Sequence, residues 1–323
     1  MRPDRREFLT LGVGVFAALS LPLALRRRVR LVRRTLPLMG TIAEVQVAHA
    51  DERFAELAID AAFDELTWVE RRMSRFRGDS DIGRANLGAA REGITIDPAT
   101  ALVIAAALEW SRATSGRFDP ALGSASELWD VLNRHEPPAR LQVERLAARG
   151  FWRKVDLSTG RSGSVVRYED PDLQLDLGAI AKGYAVDRAA DALARRGVRH
   201  GIVTVGGDLR TLGGSPEGGP WHVGIRSPHD LDALAATLEI TDRAVATSGD
   251  YERFFTWRGV RYHHLIDPAT AAPRRTPMHS VTVVADRCID ADAASTSVFG
   301  LGREDARALL RPRLPGAEVF PLA

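Results

Sequence analysis

The chain has 323 residues, of which 45% are hydrophobic and 27% are charged, a composition typical of globular proteins. Residues 1–34 carry a net charge of +7, from nine Arg against Asp4 and Glu7, whereas the whole chain carries +2, so the remainder carries −5. This distribution argues against a nucleic-acid-binding protein, and the single cysteine, Cys288, excludes an intrachain disulfide and a cysteine-based zinc site.

The N-terminus resembles a twin-arginine export signal. Arg5 and Arg6 precede an uncharged apolar run that ends at Leu25, and three Arg follow at 26–28 without a clear cleavage site. We therefore expect residues 1–34 to be a twin-arginine-type signal or a membrane anchor. The protein would be exported, and it would be periplasmic or anchored to the inner membrane facing the periplasm. A basic segment that tethers the chain to a membrane surface would explain the same pattern.

Residues 35–323 predict one domain with an α+β fold. Apolar residues recur every three or four positions in the predicted helices and alternate in the predicted strands. The predicted elements are strand 41–47, helices 51–76, 98–116 and 141–149, strand 172–177, helix 180–196, strands 201–205, 221–226, 237–241, 244–247, 253–257, 261–266 and 280–285, and a last helix over 291–299. We expect a mixed or antiparallel sheet with flanking helices and one βαβ unit, formed by 172–177, 180–196 and 201–205.

The segment from Asp176 to Tyr184 places small residues where a predicted strand becomes a predicted helix. Free backbone N–H groups and the helix dipole at such a junction suit a phosphate, and Lys182 lies in the first turn. The spacing is neither that of a P-loop nor that of a dinucleotide-binding fingerprint. A tight turn in which small residues allow close packing explains the pattern equally well.

Two further clusters could contribute chemistry. Asp292 and Thr296 are four residues apart and share a face of the last predicted helix, where a carboxylate and a hydroxyl could bind Mg²⁺ beside a phosphate. His263 and His264 are adjacent on a predicted strand, so only one of them can face a shared pocket and act as a base. A helix start with capping acids and a structural histidine are the simpler interpretations.

Together these segments resemble a known family. Eight short motifs occur in the order found in the ApbE-like FAD:protein FMN transferases, from about residue 35 to residue 315. They are Met39-Gly40-Thr41, Met73-Ser74-Arg75-Phe76, Gly116-Arg117-Phe118-Asp119-Pro120, the run from Asp176 to Asp187, Gly206-Gly207-Asp208, Ser248-Gly249-Asp250-Tyr251, His264-Leu265-Ile266-Asp267-Pro268 and Asp292-Ala293-Ala294-Ser295-Thr296.

The resemblance implies an enzyme that uses FAD as substrate and Mg²⁺ as cofactor. Such an enzyme transfers FMN through a phosphoester bond to a Ser or Thr hydroxyl of a partner flavoprotein, an acceptor expected to be a membrane or periplasmic redox protein, and releases AMP. By position, the FAD site would be lined by Met39, Phe76, Phe118, Asp119, Asp176, Lys182 and Ile266. The metal ligands would be the carbonyl of Ala179 and the side chains of Asp292 and Thr296, and His264 would be the base. The position of Ser295 is an acid in some members of the family.

The sequence departs from the family pattern at a few positions, of which Ala271, where Gly is usual, is the clearest. None of the departures removes a proposed metal ligand. Two other functions use the same residues: an FAD pyrophosphatase, in which water replaces the acceptor hydroxyl, and a non-catalytic FAD-binding protein. His264 and the pair formed by Asp292 and Thr296 favour catalysis, because a binding protein needs neither a base nor a metal.

Overall fold

The computed structural model describes residues 15–17, 29–160, 163–230 and 232–323. The strands are β1 (Val15–Ala17), β2 (Arg30–Leu38), β3 (Thr41–His49), β4 (Ile94–Ile96), β5 (Val155–Gly160), β6 (Gly163–Tyr168), β7 (Gly201–Val205), β8 (Asp208–Leu212), β9 (Trp221–Arg226), β10 (Leu234–Ile240), β11 (Ala244–Gly249), β12 (Phe254–Trp257), β13 (Val260–His263), β14 (Ile266–Asp267), β15 (Ala272–Pro273), β16 (Ser280–Ala285) and β17 (Glu318–Leu322). The helices are α1 (Glu52–Met73), α2 (Asp81–Gly88), α3 (Pro98–Ala113), α4 (Gly123–Trp129), α5 (Arg140–Leu146), α6 (Ala181–Arg195), α7 (Cys288–Val298) and α8 (Arg303–Leu310).

A seven-stranded sheet with the order β17-β16-β11-β8-β7-β3-β2 organises the domain. Helices α1, α6 and α7 pack against it, and α6 also packs against both α1 and α7. Alternation along β7 places Val203 in the main core, whereas its neighbour Ile202 packs in a second cluster with Trp221 of β9. Both faces of the sheet are therefore covered, and the predicted α+β fold with flanking helices is confirmed.

The predicted βαβ unit is wrong. Residues 172–177 form only a single bridge, between Gln174 and Leu122, and β7 pairs antiparallel with both β3 and β8. The alternating apolar residues are buried, but the backbone is paired elsewhere: the side chain of Asn86 bonds to the N–H and the C=O of Leu175, and Asp176 N donates to Pro120 O. Alternation here marks an extended segment in the core rather than a strand of the sheet.

Aspartate side chains cap the starts of two helices. The carboxylate of Asp51 accepts from Phe54 N before α1, and that of Asp97 accepts from Ala99 N before α3, which begins at Pro98. In contrast, α7 begins at Cys288, three residues before its predicted start. The elements that were not predicted are helices α2, α4 and α8 and strands β1, β2, β4, β5, β6, β8, β15 and β17.

Most of residues 1–34, assigned to the signal or anchor, lie outside the described residues. Of that segment, Val15–Ala17 pairs antiparallel with β9, and β2 begins at Arg30, five residues before the expected domain boundary. Among the helices that the structure describes, none is both long enough and apolar enough to cross a membrane. The division into residues 1–34 and 35–323 stays a prediction.

Ala271 adopts the backbone conformation that the usual glycine would adopt. Its φ is 51°, its N–H donates to Asp267 O at 2.8 Å, and its carbonyl accepts from Trp129 Nε1 at 2.7 Å. We expect Ala271→Gly to change the free energy of unfolding by less than about 1 kcal/mol. Glycine relieves the strain of the left-handed backbone, about 1–2 kcal/mol. This gain offsets the lost burial of the methyl group and the larger conformational entropy of the unfolded chain.

The matched control is Ala189→Gly, at an equally buried helical position without such strain. That substitution should cost about 1–2 kcal/mol, from the lost helix propensity and the lost methyl burial. Urea unfolding of both variants tests the difference. A loss at residue 271 as large as that at residue 189 would contradict the strain argument.

Candidate functional site

Lys182 at the start of α6 bridges two buried carboxylates. Its Nζ lies 2.8 Å from Asp208 Oδ2, and 3.0 Å and 3.1 Å from the two carboxylate oxygens of Asp292. The side chain of Lys182 is 24% exposed, whereas those of Asp208 and Asp292 are 2% and 4% exposed. The cluster therefore joins α6, the first residue of β8 and the middle of α7.

One ammonium group faces two carboxylates in this cluster, which leaves one negative charge unbalanced. Burial lowers the pKa of Lys182, but the charges of Asp208 and Asp292 outweigh it, so the pKa is raised and the ammonium stays protonated. Burial and the neighbouring Asp292 carboxylate raise the pKa of Asp208 against the opposing effect of Lys182. Burial also raises the pKa of nearby Glu252 to about 7. Buried groups with pKa values shifted in this way are common at functional sites.

The first turn of α6 is fitted closely to α7. Gly183 N donates to Asp292 Oδ2 at 3.0 Å, and a Cβ on Gly183 would lie 2.2 Å from the carbonyl oxygen of Cys288. Helical bonds between residues four apart run from Ala181 N to Leu177 O and from Tyr184 N to Ile180 O. Between them, Gly183 N, the amide that would bind the carbonyl of Ala179 in a regular helix, is directed to Asp292 instead.

Three hydroxyl groups continue the site along α7. Ser248 Oγ of β11 lies 2.9 Å from Ser295 Oγ and 3.3 Å from Thr296 Oγ1. Ser295 Oγ also donates to Asp292 O at 3.0 Å. Asp292 and Thr296 therefore lie four residues apart on α7, as the sequence indicated, and Ser248 contacts the hydroxyl group of Thr296.

The two adjacent histidines have different environments. His263 is 4% exposed, and its Nδ1 accepts from Leu265 N while its Nε2 lies 2.9 Å from Arg274 O, so both ring nitrogens are used in structural contacts. His264 Nδ1 lies 3.4 Å from Arg253 O. A carbonyl can only accept, so this contact places the ring proton on Nδ1 and leaves Nε2 able to take up a proton.

Burial and the guanidinium of Arg253 lower the pKa of His264 from 6.5 to about 3, and the charge of Lys182 acts in the same direction. The imidazole is therefore neutral near pH 7, which is the form that a general base requires. A negatively charged ligand bound between Lys182 and His264 would reverse part of this shift.

Arg75 joins two of the residues predicted to contact FAD. Its Nε lies 2.9 Å from Asp176 Oδ2, and its guanidinium lies 4.3 Å from the centre of the Phe76 ring. Phe76 is 79% exposed although it is a large aromatic residue. Met39 has a φ of 54° and donates its N–H to Glu70 Oε1 at 2.7 Å.

The other predicted FAD residues lie deeper. Phe118 is 1% exposed and packs inside the main core, and Ile266 of β14 is 9% exposed. Burial raises the pKa of Asp119 to about 6; its Oδ1 accepts from Ala121 N, and its Oδ2 is buried without a hydrogen-bond partner among the described residues. The side chain of Phe118 therefore exposes almost no surface to a ligand in this structure. The assignments of these residues to FAD stay predictions.

Sequence reasoning did not assign Asp208, Glu252, Ser248 or Arg75 to the site. Asp208, Ser248 and Arg75 lie in motifs that carry the family resemblance, and Glu252 follows one of these motifs directly. Sequence spacing gives no information about the distance from Asp208 to Lys182, 26 residues earlier in the chain. An Asp directly after two glycines was the available sequence signal, but such motifs also occur in ordinary turns.

The chain is similar to proteins of known function over nearly its whole length. Residues 39–320 match the family model described as the ApbE family. The chain is 35% identical over 314 residues to the FAD:protein FMN transferase of Treponema pallidum, covering 92% of this chain and 86% of that protein. It is 33% identical over 278 residues to that of Vibrio cholerae, covering 84% of this chain and 82% of that protein.

Solved structures give the same result. The ApbE protein of Thermotoga maritima superposes with a TM-score of 0.78 at 27% identity, covering 91% of this chain and 97% of that chain. The flavinyl transferase ApbE of Pseudomonas stutzeri, in its apo form, superposes with a TM-score of 0.76 at 28% identity, covering 91% of each chain.

Proposed function

Because the chain belongs to the ApbE family and is an FAD:protein FMN transferase, we propose that it transfers FMN in a Mg²⁺-dependent reaction to a Ser or Thr hydroxyl of a partner flavoprotein. The observation that carries this proposal is the buried cluster in which Lys182 bridges Asp208 and Asp292. The surplus negative charge of that cluster suits a divalent cation, and Lys182 suits a pyrophosphate.

The residues present fit a magnesium ion. Among the described residues, no group of three or more His, Cys, Asp and Glu side chains is arranged to hold a metal. The proposed ligands are of another kind: the carboxylate of Asp292, the hydroxyl of Thr296 and the carbonyl of Ala179. Mg²⁺ favours such oxygen donors and completes its shell with water and substrate phosphate. When bound, it would neutralise charge that develops on the pyrophosphate.

The proposed reaction is a displacement at the FMN-side phosphorus of FAD. A bond forms between this phosphorus and the acceptor hydroxyl oxygen, and the bond to the bridging oxygen breaks, so that AMP leaves with that oxygen. The hydroxyl proton goes to Nε2 of His264, whose Nδ1 is turned to Arg253 O. The ammonium of Lys182 stabilises the negative charge on the pyrophosphate.

Phe76 is proposed as an exposed contact for the FAD ring system. We expect Phe76→Ala to weaken FAD binding by about 5-fold, since loss of an aromatic stacking partner costs about 1 kcal/mol. The melting temperature should change little because the side chain is 79% exposed. Isothermal titration with FAD measures the effect. The control is Leu102→Ala, because Leu102 is also an exposed apolar residue but lies elsewhere, on α3. Equal FAD affinity in wild type and Phe76→Ala would remove Phe76 from the site.

The transferase is distinguished from a pyrophosphatase by its products. The full chain is incubated with FAD and Mg²⁺, with and without an acceptor flavoprotein, and FMN and AMP are quantified by chromatography. The proposal predicts that AMP release requires the acceptor and is not matched by free FMN. Equal amounts of free FMN and AMP, unchanged by the acceptor, would instead identify an FAD pyrophosphatase. Tight FAD binding without AMP release would identify a carrier.

The N-terminal sequence supports export by a twin-arginine-type signal, with the enzyme in the periplasm or held at the inner membrane facing the periplasm. An acceptor with a Ser or Thr modification site would then be a membrane or periplasmic redox protein. The full chain carrying Arg5→Lys and Arg6→Lys should remain in the cytoplasm in cell fractionation, whereas Arg27→Lys should not alter its location. Unchanged export of the double variant would contradict this pathway.

A further inference from the structure

Helix α7, which carries Asp292 and Thr296, does not cap its own N-terminus. Its N-cap residue, Arg287, supplies no side-chain hydrogen bond to the helix. The cap comes instead from Asp187 in the middle of α6, whose Oδ1 accepts from Cys288 N and whose Oδ2 accepts from Ile289 N, both at 3.0 Å. Asp187 is fully buried. A carboxylate on a neighbouring helix thus takes the role that a preceding Ser, Thr, Asp or Asn usually has.

The guanidinium groups of two arginines bind the carbonyls at the C-terminal end of α7. Arg274 Nη1 donates to the carbonyls of Thr296 and Phe299, both at 3.1 Å, and Arg117 Nε donates to Ser297 O at 2.7 Å. Carboxylate at the N-terminus and guanidinium at the C-terminus complement the helix dipole. Both ends of α7 are therefore fixed by side chains from other elements.

Asp187 also sets the axial position of α7 relative to α6. Gly183 and Asp187 are four residues apart on α6, and Cys288 and Asp292 are four residues apart on α7, so each pair occupies one face. Gly183 N bonds to Asp292 Oδ2, and Asp187 bonds to Cys288 N one turn away. Two contacts one turn apart fix both the rotation and the translation of α7 past α6.

We propose that Asp187 is a positioning residue for the cation site: its carboxylate fixes α7 so that Asp292 and Thr296 are presented to Mg²⁺ beside the carbonyl of Ala179. This inference rests on the proposed Mg²⁺-dependent function. Asp187 does not touch the reacting atoms. It acts by reducing the freedom of the helix that bears two of the three proposed ligands, so its loss weakens cation binding before it affects the chemical step.

The chain provides a matched control in Asp191, one turn further along α6. Arg210 and Arg287 form ion pairs with Asp187, at 3.1 Å and 3.2 Å, and also with Asp191. The carboxylate of Asp191 accepts from Arg210 Nη1 at 2.8 Å and lies 3.8 Å from Arg287 Nη2. Among the hydrogen bonds of the described residues, it makes none to the backbone of α7. Asp191→Asn therefore removes an equal charge from the same ion-pair network without removing the cap.

The test compares Mg²⁺ binding by the wild type, Asp187→Asn and Asp191→Asn in the absence of FAD, by isothermal titration and by the shift of the melting temperature with Mg²⁺. Asn keeps the size of Asp but has one acceptor oxygen for two N–H donors. We expect Asp187→Asn to bind Mg²⁺ about 10–100-fold more weakly and Asp191→Asn to stay within about 2-fold of wild type. In FMN transfer, excess Mg²⁺ should restore the kcat of Asp187→Asn to within a few-fold of wild type.

Asp187→Glu is a second variant in case Asp187→Asn does not fold. It keeps the charge but displaces the carboxylate, and it should also weaken Mg²⁺ binding. Wild-type Mg²⁺ affinity in a folded Asp187 variant, or an equal loss in Asp191→Asn, would overturn the positioning role. Failure of the wild type itself to bind Mg²⁺ would overturn the proposed metal dependence, which is a different result.

Discussion

Asp292→Asn is expected to lower the rate of FMN transfer at a fixed Mg²⁺ concentration by about 10³-fold. The substitution removes the one carboxylate among the proposed metal ligands, and the charge stabilisation that a metal ion supplies amounts to several kcal/mol, or about three powers of ten in rate. Lys182 keeps its ion pair with Asp208 at 2.8 Å, so the fold should survive the change. Initial rates of AMP release at increasing Mg²⁺ concentration measure the effect.

The control for Asp292→Asn is Asp290→Asn in the first turn of the same helix. Asp290 takes no part in the cluster around Lys182, and its substitution should leave the Mg²⁺ dependence of transfer unchanged. If Asp292→Asn transferred FMN at the wild-type rate, with the wild-type Mg²⁺ dependence, the metal assignment would be lost.

His264→Ala is expected to slow FMN transfer by about 10²–10⁴-fold while FAD still binds, because a general base acts on the acceptor hydroxyl rather than on FAD. His263→Ala should show the opposite pattern. Its ring satisfies Leu265 N and Arg274 O, so its loss should cost about 1–3 kcal/mol of stability but slow transfer much less. Stopped-time transfer assays with thermal unfolding separate the two patterns. Wild-type transfer by His264→Ala would remove this residue from the mechanism.

The lowered pKa of His264 also makes a prediction for stability. Its folded-state pKa is about 3, against an ordinary 6.5, so the unfolded chain binds the proton more readily, and protonation favours unfolding as the pH falls from 6.5 towards 3. His264→Ala should therefore lose less stability than wild type over this range. Urea midpoints at pH 7 and pH 5 measure the difference, and an identical pH dependence in the two proteins would show that the imidazole is not buried as a neutral group.

The sequence could predict those parts of the fold that depend on local patterns. Helix α3 follows the capping pair Asp97 and Pro98, and β9 and β16 coincide with their predicted ranges because alternation and local propensity agree there. Prediction from the sequence failed where contacts between distant residues determine the local structure. The cap of α7 comes from Asp187, about 100 residues earlier, and the backbone of Leu175 pairs with the side chain of Asn86.

The candidate site, like the fold, could be predicted where local patterns determine it and not where contacts between distant residues do. Asp292 and Thr296 could be chosen because four-residue spacing on a helix guarantees a shared face. The choice of His264 over His263 came from the family resemblance alone, since spacing does not show which ring meets Arg274 O and which meets Arg253 O. Asp208 was overlooked because its partner Lys182 is brought near only by the packing of α6 on β8.

The mass of the acceptor protein tests the central claim most directly. An acceptor flavoprotein from the same organism is incubated with FAD, Mg²⁺ and the enzyme, and its intact mass is measured beside reactions with Asp292→Asn and His264→Ala. We predict a mass gain of one FMN residue on a Ser or Thr with the wild type, one AMP for each modified acceptor, and little gain with either variant in the same time. An unmodified acceptor in the presence of free FMN and AMP, or equal modification by all three enzymes, would contradict the account.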